Sequence, residues 1–359
     1  MNSKINRNSK NGRYILKESD KKIYSYKFNK EDKIYNFIID SKPNEYFKGN
    51  GKHTFDVPEL FASELGSFAG LKIVKQYPAT YIDKEGNIYD GVISKDYVEN
   101  REKTEVINSQ IPLYEYFGNV TLLKLNAIEY YYKSAKQYIE ERNKKINKSK
   151  KQIKLDENFV KDLQKLRLFG FICGAEDLWA QNIDFYIENN VLKLAPALDF
   201  SYSFLLKSFS SNLRQNFNNN ISKQEKLKLV EKELDNIKMS LKVFEENALN
   251  NDRLLAAVET AQVLLMDEEL MSFYLKLKKI DVLSFLTNFK ENNNYKFISE
   301  NDLELASLVF KTSIKQIEVS LENEKINQSS PLYKISKQAD KFNNREFLNY
   351  NKQTEELQK

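Results

Sequence analysis

Cysteine and histidine are almost absent: one of each, Cys173 and His53, in a chain of 359 residues. A lone cysteine excludes an intrachain disulfide framework. One cysteine and one histidine cannot supply the four ligands of the usual zinc sites. A Cys–His nucleophilic pair would have to use these two. Cys173 falls in an apolar helical pattern, the setting of an inert thiol, and His53 lies in a Gly- and Lys-rich loop, the setting of a solvated imidazole. No run of 18 apolar residues is present, so no transmembrane helix is expected. Residues 1–13 lack the apolar stretch of a secretory signal. The expected localisation is cytoplasmic, or secreted by a signal-less route. The net charge of +5 is too mild to demand a nucleic-acid partner, and no helix-turn-helix pattern is visible. Chemistry is left to carboxylates, lysines, hydroxyls and a bound metal.

What the chain does have is enough apolar surface for a core, with 41% hydrophobic and 13% aromatic residues. Its length suits one large domain or two lobes. Lysines crowd one segment, from Lys144 and Lys145 through Lys148, Lys150 and Lys151 to Lys154. The plain reading is a solvated loop between helices; a functional one is contact with an acidic partner or anionic surface.

Residues 1–20 read as a loose segment. Apolar–polar alternation then predicts strands at 23–28, 34–39 and 45–48, separated by turns at 29–32 and 41–44. Pro58 suits a first helical turn and Asp56 its cap; Glu59, Leu60, Phe61, Leu65, Phe68 and Ala69 form one stripe, and Gly70 ends it. Strands follow at 72–82 and 88–97. Residues 20–100 thus read β-β-β-α-β-β. Beyond residue 111 the pattern turns helical, at 122–139 and 158–173, then breaks at Gly174. A hairpin is expected at 183–187 and 191–194 around Asn189-Asn190. After an Asn-rich stretch at 207–222, helices are expected at 224–244, 254–266, 270–289 and 303–321. The expected class is α+β, two-lobed: a small antiparallel-sheet N-lobe with one helix (21–110), a mainly helical C-lobe (111–328) with a catalytic loop at 174–200, and a polar tail (329–359).

The informative residues flank the hairpin. An apolar helix ends at Gly174, a loop presents Asp177 and Asn182, the hairpin runs out and back, and Asp199 follows in Leu194-Ala195-Pro196-Ala197-Leu198-Asp199. A returning hairpin should bring Asn182 and Asp199 together. Phosphoryl transfer needs magnesium to neutralise phosphate charge and a carboxylate to orient the attacking hydroxyl. Magnesium takes hard oxygens: Asp199 and Asn182 could supply them, and Asp177 could accept the hydroxyl proton. Lys48 closes a strand, with Lys42 and Lys52 as rivals, and is a candidate to grip phosphates. Glu59, with Glu64 as a rival, is a candidate to pair with it from the helix.

This ordering resembles the HipA-like Ser/Thr kinase family, in particular its short CtkA-like members, over residues 20–205. The motifs are the meander ending in Lys48, the Pro58-Glu59-Leu60-Phe61-Ala62-Ser63-Glu64-Leu65-Gly66 helix, Gly91-Val92-Ile93-Ser94-Lys95-Asp96-Tyr97, the Asp177…Asn182 loop and Ala195-Pro196-Ala197-Leu198-Asp199. The resemblance implies a protein-kinase-like fold and an ATP- and Mg2+-dependent phosphotransferase acting on Ser or Thr of a protein, as a toxin or effector, with an antitoxin or host partner. It assigns Asp177 as catalytic aspartate, Asn182 and Asp199 to metal, and Lys48 to phosphate. Ser94, Lys95, Asp96 and Tyr97 become the hinge that reads adenine through its backbone. Ser208, Ser210 and Ser211, placed after Asp199, are candidate regulatory phosphosites.

Three departures stand out. Trp179 replaces the histidine of the family's Asp-x-His-x-x-Asn loop, no glycine-rich phosphate loop is visible, and Asp199-Phe200 is followed by Ser201 rather than glycine. The alternatives are a pseudokinase that binds nucleotide or a partner without transfer, and a lipid or small-molecule kinase on the same scaffold.

Overall fold

The computed structural model describes residues 13–17, 23–27, 33–37, 45–50, 56–83, 85–95, 97, 104–109, 112–113, 127–145, 151–176, 178, 182–206, 213–217, 221–237 and 253–329. The architecture is α+β, as the sequence pattern predicts. One sheet holds β1 (Tyr14–Lys17), β2 (Ile23–Lys27), β3 (Lys33–Phe37), β4 (Glu45–Asn50), β5 (Gln76–Ile82) and β6 (Ile88–Lys95), in the order β1-β5-β6-β4-β3-β2. The predicted meander is β2–β3–β4, antiparallel throughout. Helix α1 (Asp56–Ala69) separates β4 from β5.

The loose N-terminal segment expected over 1–20 is corrected at its end. Tyr14–Lys17 pairs in parallel with β5, Tyr14 facing Ala79, and Arg13 before it is buried. A lone four-residue strand carries too little alternation to be seen before its partner is known.

A second sheet holds β7 (Thr104–Asn108), β8 (Lys154–Leu155), β9 (Asp184–Glu188) and β10 (Val191–Leu194), ordered β7-β9-β10-β8. No strand was expected at 104–108; these residues pair with β9.

The remaining helices are α2 (Ala127–Lys145), α3 (Phe159–Cys173), α4 (Leu213–Asn216), α5 (Lys223–Asn236), α6 (Arg253–Met266), α7 (Glu268–Lys278), α8 (Val282–Asn293) and α9 (Glu300–Ser329). The single helix expected over 270–289 is two. The chain turns between Leu277 and Val282, both fully buried, so the apolar stripe runs unbroken through the bend and hides it. The last helix extends to Ser329, the residue at which the polar tail was expected to begin; the rest of that tail lies outside the described residues, as do Leu241 and Phe244.

The larger apolar core gathers α1, α3 and the C-terminal helices around Phe61, Phe169, Phe171, Phe200 and Phe204. A smaller cluster of Phe47, Ala79, Tyr81 and Ile93 belongs to the first sheet. Val57, Phe61, Ala62, Leu65 and Ala69 of α1 join the larger core, while the opposite side of the helix meets β5 and β6. This helix is therefore buried on nearly all sides and carries Glu59 into the interior.

Candidate active site

Helix α3 delivers the loop. It stops at Gly174, whose φ of +60° a glycine adopts at little cost, and Ala175 N–H closes the end on Gly170 O at 2.8 Å. Glu176 N–H then donates to Tyr202 O (2.9 Å) and Phe204 N–H to Cys173 O (2.7 Å), so the loop starts against the segment that follows Asp199. Asp177 and Trp179 lie outside the described residues.

The hairpin forms as the Asn189-Asn190 pair predicts, both residues in the left-handed region (φ 53° and 62°) that a type I′ turn needs. Phe185 pairs with Leu194, and Ala195 N–H donates to Asp184 O at 2.9 Å. Half-buried Asn182 precedes the closing pair by two residues, and Asp199 follows it by four. The outgoing strand is stitched to the α1–β5 connection: Ala197 N–H bonds Lys72 O and Val74 N–H bonds Ala197 O, both at 2.9 Å. Gln76 Nε2 adds a bond to Leu198 O at 3.2 Å.

These stitches place Asp199 against the first sheet. Lys48, in β4 between Ile34 of β3 and Val92 of β6, reaches Glu59 Oε1 at 3.0 Å and Asp199 Oδ1 at 2.5 Å, and contacts Ser201 Oγ. Phe200 N–H donates to Glu59 Oε2 at 3.0 Å. Ser201 Oγ lies 2.7 Å from Asp199 Oδ1 and 3.0 Å from Glu59 Oε1, and Ser201 N–H donates to the same Oδ1 at 3.1 Å. Asp199 Oδ1 is thus crowded with donors. Among the described residues Oδ2 takes no hydrogen bond, and the side chain keeps 21% of its surface exposed. The rival Glu64 pairs with Lys75 at the surface; Lys42 and Lys52 lie outside the described residues.

Burial would raise the Asp199 carboxyl, but the charge and hydrogen bond of Lys48, with the Ser201 bonds, override it and hold the group at about 2. Burial pushes Glu59 up, to about 7, with the charge of Lys48 and the Phe200 N–H pulling the other way. Burial works against the Lys48 ammonium, yet the two carboxylates win and its pKa is raised. The result is a partly buried cation held between two anions of unequal acidity.

Of the residues assigned to the hinge, Ser94 is buried in β6, facing Gln76 of β5 and Tyr46 of β4, and Lys95 ends the strand. Asp96 lies outside the described residues, as do Ser208, Ser210 and Ser211. Tyr97 OH donates to Asp184 Oδ2 at 3.3 Å and its ring meets Tyr186 edge-on at 6.4 Å, tying this segment to the hairpin. Asn108 Nδ2 bonds the other Asp184 oxygen at 2.9 Å; burial raises the pKa of that carboxyl.

Sequence reasoning missed Ser201 and Asp184. Ser201 registered only as a missing glycine, and Asp184 only as a strand residue. Among the described residues no cluster of three His, Cys, Asp or Glu could hold a metal ion, and no helix is long and apolar enough to cross a membrane.

No protein-family model matches the chain, and no curated protein matches it. Among the solved structures similar to it are two kinase-related ones. One is the proinflammatory kinase CtkA of Helicobacter pylori: 12% identity over 86% of this chain and 98% of that one, TM-score 0.49. The other is a Shewanella oneidensis MR-1 toxin–antitoxin complex of HipA, HipB and operator DNA: 9% identity over 82% of this chain and 62% of that one, TM-score 0.42.

Proposed function

We propose that this chain transfers the terminal phosphoryl group of ATP, with Mg2+, to a serine or threonine hydroxyl of a protein. The observation that carries the reading is the position of Lys48 between Glu59, 11 residues on, and the distant Asp199, the three meeting at the junction of sheet, helix and hairpin. A lysine so held is oriented to meet nucleotide phosphates, and its helix partner fixes that orientation.

The residues present suit magnesium. The Asp199 side chain is partly solvent-exposed and, among the described residues, has one carboxylate oxygen outside hydrogen bonds, and Asn182 carries an amide oxygen at the other end of the hairpin. Magnesium commonly uses only one or two protein carboxylates, the remainder being water and phosphate. When bound, the ion would neutralise charge on the phosphates. Lys48 would hold phosphate oxygens, and Asp177 would orient the acceptor hydroxyl and take its proton.

The test is transfer of labelled phosphate from ATP to the chain itself and to a generic basic protein, with and without Mg2+. Wild type is expected to transfer; Asp177→Ala and Asp199→Asn are expected to lose transfer by at least about 100-fold. Nucleotide binding with no transfer in the wild type would favour a pseudokinase, and no nucleotide binding at all would reject the reading.

A further inference from the structure

We propose that Ser201 is a positioning residue that keeps one oxygen of Asp199 free for a divalent cation; this rests on the phosphotransferase reading above. The inference comes from counting donors and acceptors in a buried cluster. Ser201 is 1% exposed. The Lys48 ammonium has three N–H donors, and its three neighbours are Glu59 Oε1, Asp199 Oδ1 and Ser201 Oγ. The serine hydroxyl has one proton and can accept in return. It accepts from Lys48 and donates to a carboxylate, the shorter of its two contacts being the 2.7 Å to Asp199 Oδ1. Its backbone N–H donates to that same oxygen at 3.1 Å.

Among the described residues, the donors that reach Asp199 therefore converge on Oδ1. The two Ser201 bonds come from within the same short turn and fix the carboxylate's rotation, leaving Oδ2 outside these bonds. Removing the hydroxyl takes an acceptor from Lys48 and a donor from Oδ1. The carboxylate is then free to rotate and present both oxygens to the ammonium, withdrawing Oδ2 from the cation. A glycine at this position could not do what Ser201 does, because the hydroxyl touches Lys48, Glu59 and Asp199 at once.

The experiment is Mn2+ uptake by electron paramagnetic resonance in the presence of ADP, on wild type, Ser201→Ala and Ser201→Thr in the full chain, together with ADP binding in chelator. The expected result is an approximately ten-fold or greater loss of Mn2+ affinity in Ser201→Ala, as for other groups that orient a metal ligand. Metal-free ADP affinity should stay within about two-fold of wild type, and Ser201→Thr should recover most of the Mn2+ affinity. Equal Mn2+ uptake by Ser201→Ala and wild type overturns the proposal. Parallel loss of Mn2+ and metal-free ADP binding overturns it too, because it marks a residue that only holds the fold. If wild type binds no Mn2+ with ADP, the metal site itself is rejected and the role of Ser201 falls with it.

Discussion

Among the described residues Lys48 meets two carboxylates and a hydroxyl. Truncating it leaves Glu59, which is 1% exposed, as a buried anion without its cation. Lys48→Met should therefore abolish transfer and also destabilise the fold, by about 3 kcal/mol. The double variant Lys48→Met/Glu59→Gln should recover part of that stability, which urea denaturation of all three variants would measure.

The unequal acidities have a signed consequence. Glu59 is raised from its ordinary 4.5 to about 7, so its contribution to stability is full below about pH 4.5 and is lost as pH rises through 7. Asp199, lowered from 3.8 to about 2, contributes above about pH 4 and loses this as pH falls through 2. Stability measured from pH 5 to 8 should decline in the wild type and stay flatter in Glu59→Gln. Over the same range nucleotide affinity should rise in the wild type, because only ionised Glu59 orients Lys48. A Glu59→Gln profile that matches wild type would refute this assignment.

At the scale of elements, β4 and β6 approach unusually closely where Gly49 faces Gly91. A Cβ on Gly49 would lie 2.6 Å from Asp90 O and from the Phe47 ring, and one on Gly91 would overlap the Lys48 carbonyl and lie 2.6 Å from Gly49 Cα. At Gly91 every obstacle is backbone and cannot swing aside. Gly91→Ala is expected to cost about 2 kcal/mol or more, and to weaken nucleotide binding, since the strand it displaces carries Lys48. Differential scanning calorimetry together with ADP titration would check both effects. The hairpin β9–β10 is the contrasting case: its turn residues need only left-handed backbone, which asparagine supplies, so local sequence suffices.

Across the whole molecule, Arg13 joins parts that the chain order keeps apart. Its guanidinium pairs with Asp56 at the start of α1, bonds Ala79 O and Gly91 O of the sheet at 3.4 Å, and lies 3.8 Å from the centre of the Phe297 ring, between α8 and α9. Asp56 is fully buried; burial raises its carboxyl, and Arg13 pulls the other way. Arg13→Ala would leave that carboxylate uncompensated and should cost about 3 kcal/mol, with Arg13→Met/Asp56→Asn closer to wild type. Thermal unfolding of the set would read this directly, and an unchanged midpoint in Arg13→Ala would show that the pair contributes nothing.

Local chemistry alone determined several of the elements here. Period-two alternation marked β2–β4, Pro58 and a three-four stripe marked α1, Gly174 marked the end of α3, and the asparagine pair marked the hairpin, because each is decided by backbone preferences within a few residues. It also restricted the chemistry to oxygen and lysine groups, since cysteine and histidine are nearly missing. Only tertiary packing decided which groups meet. Lys48 finds Ser201 across 153 positions and Glu59 finds Phe200 across 141. The strand at Tyr14–Lys17 has pairing meaning only beside β5, and the bend after α7 leaves no break in apolar spacing. Ser201 reads as an ordinary serine until the fold buries it against two carboxylates and an ammonium.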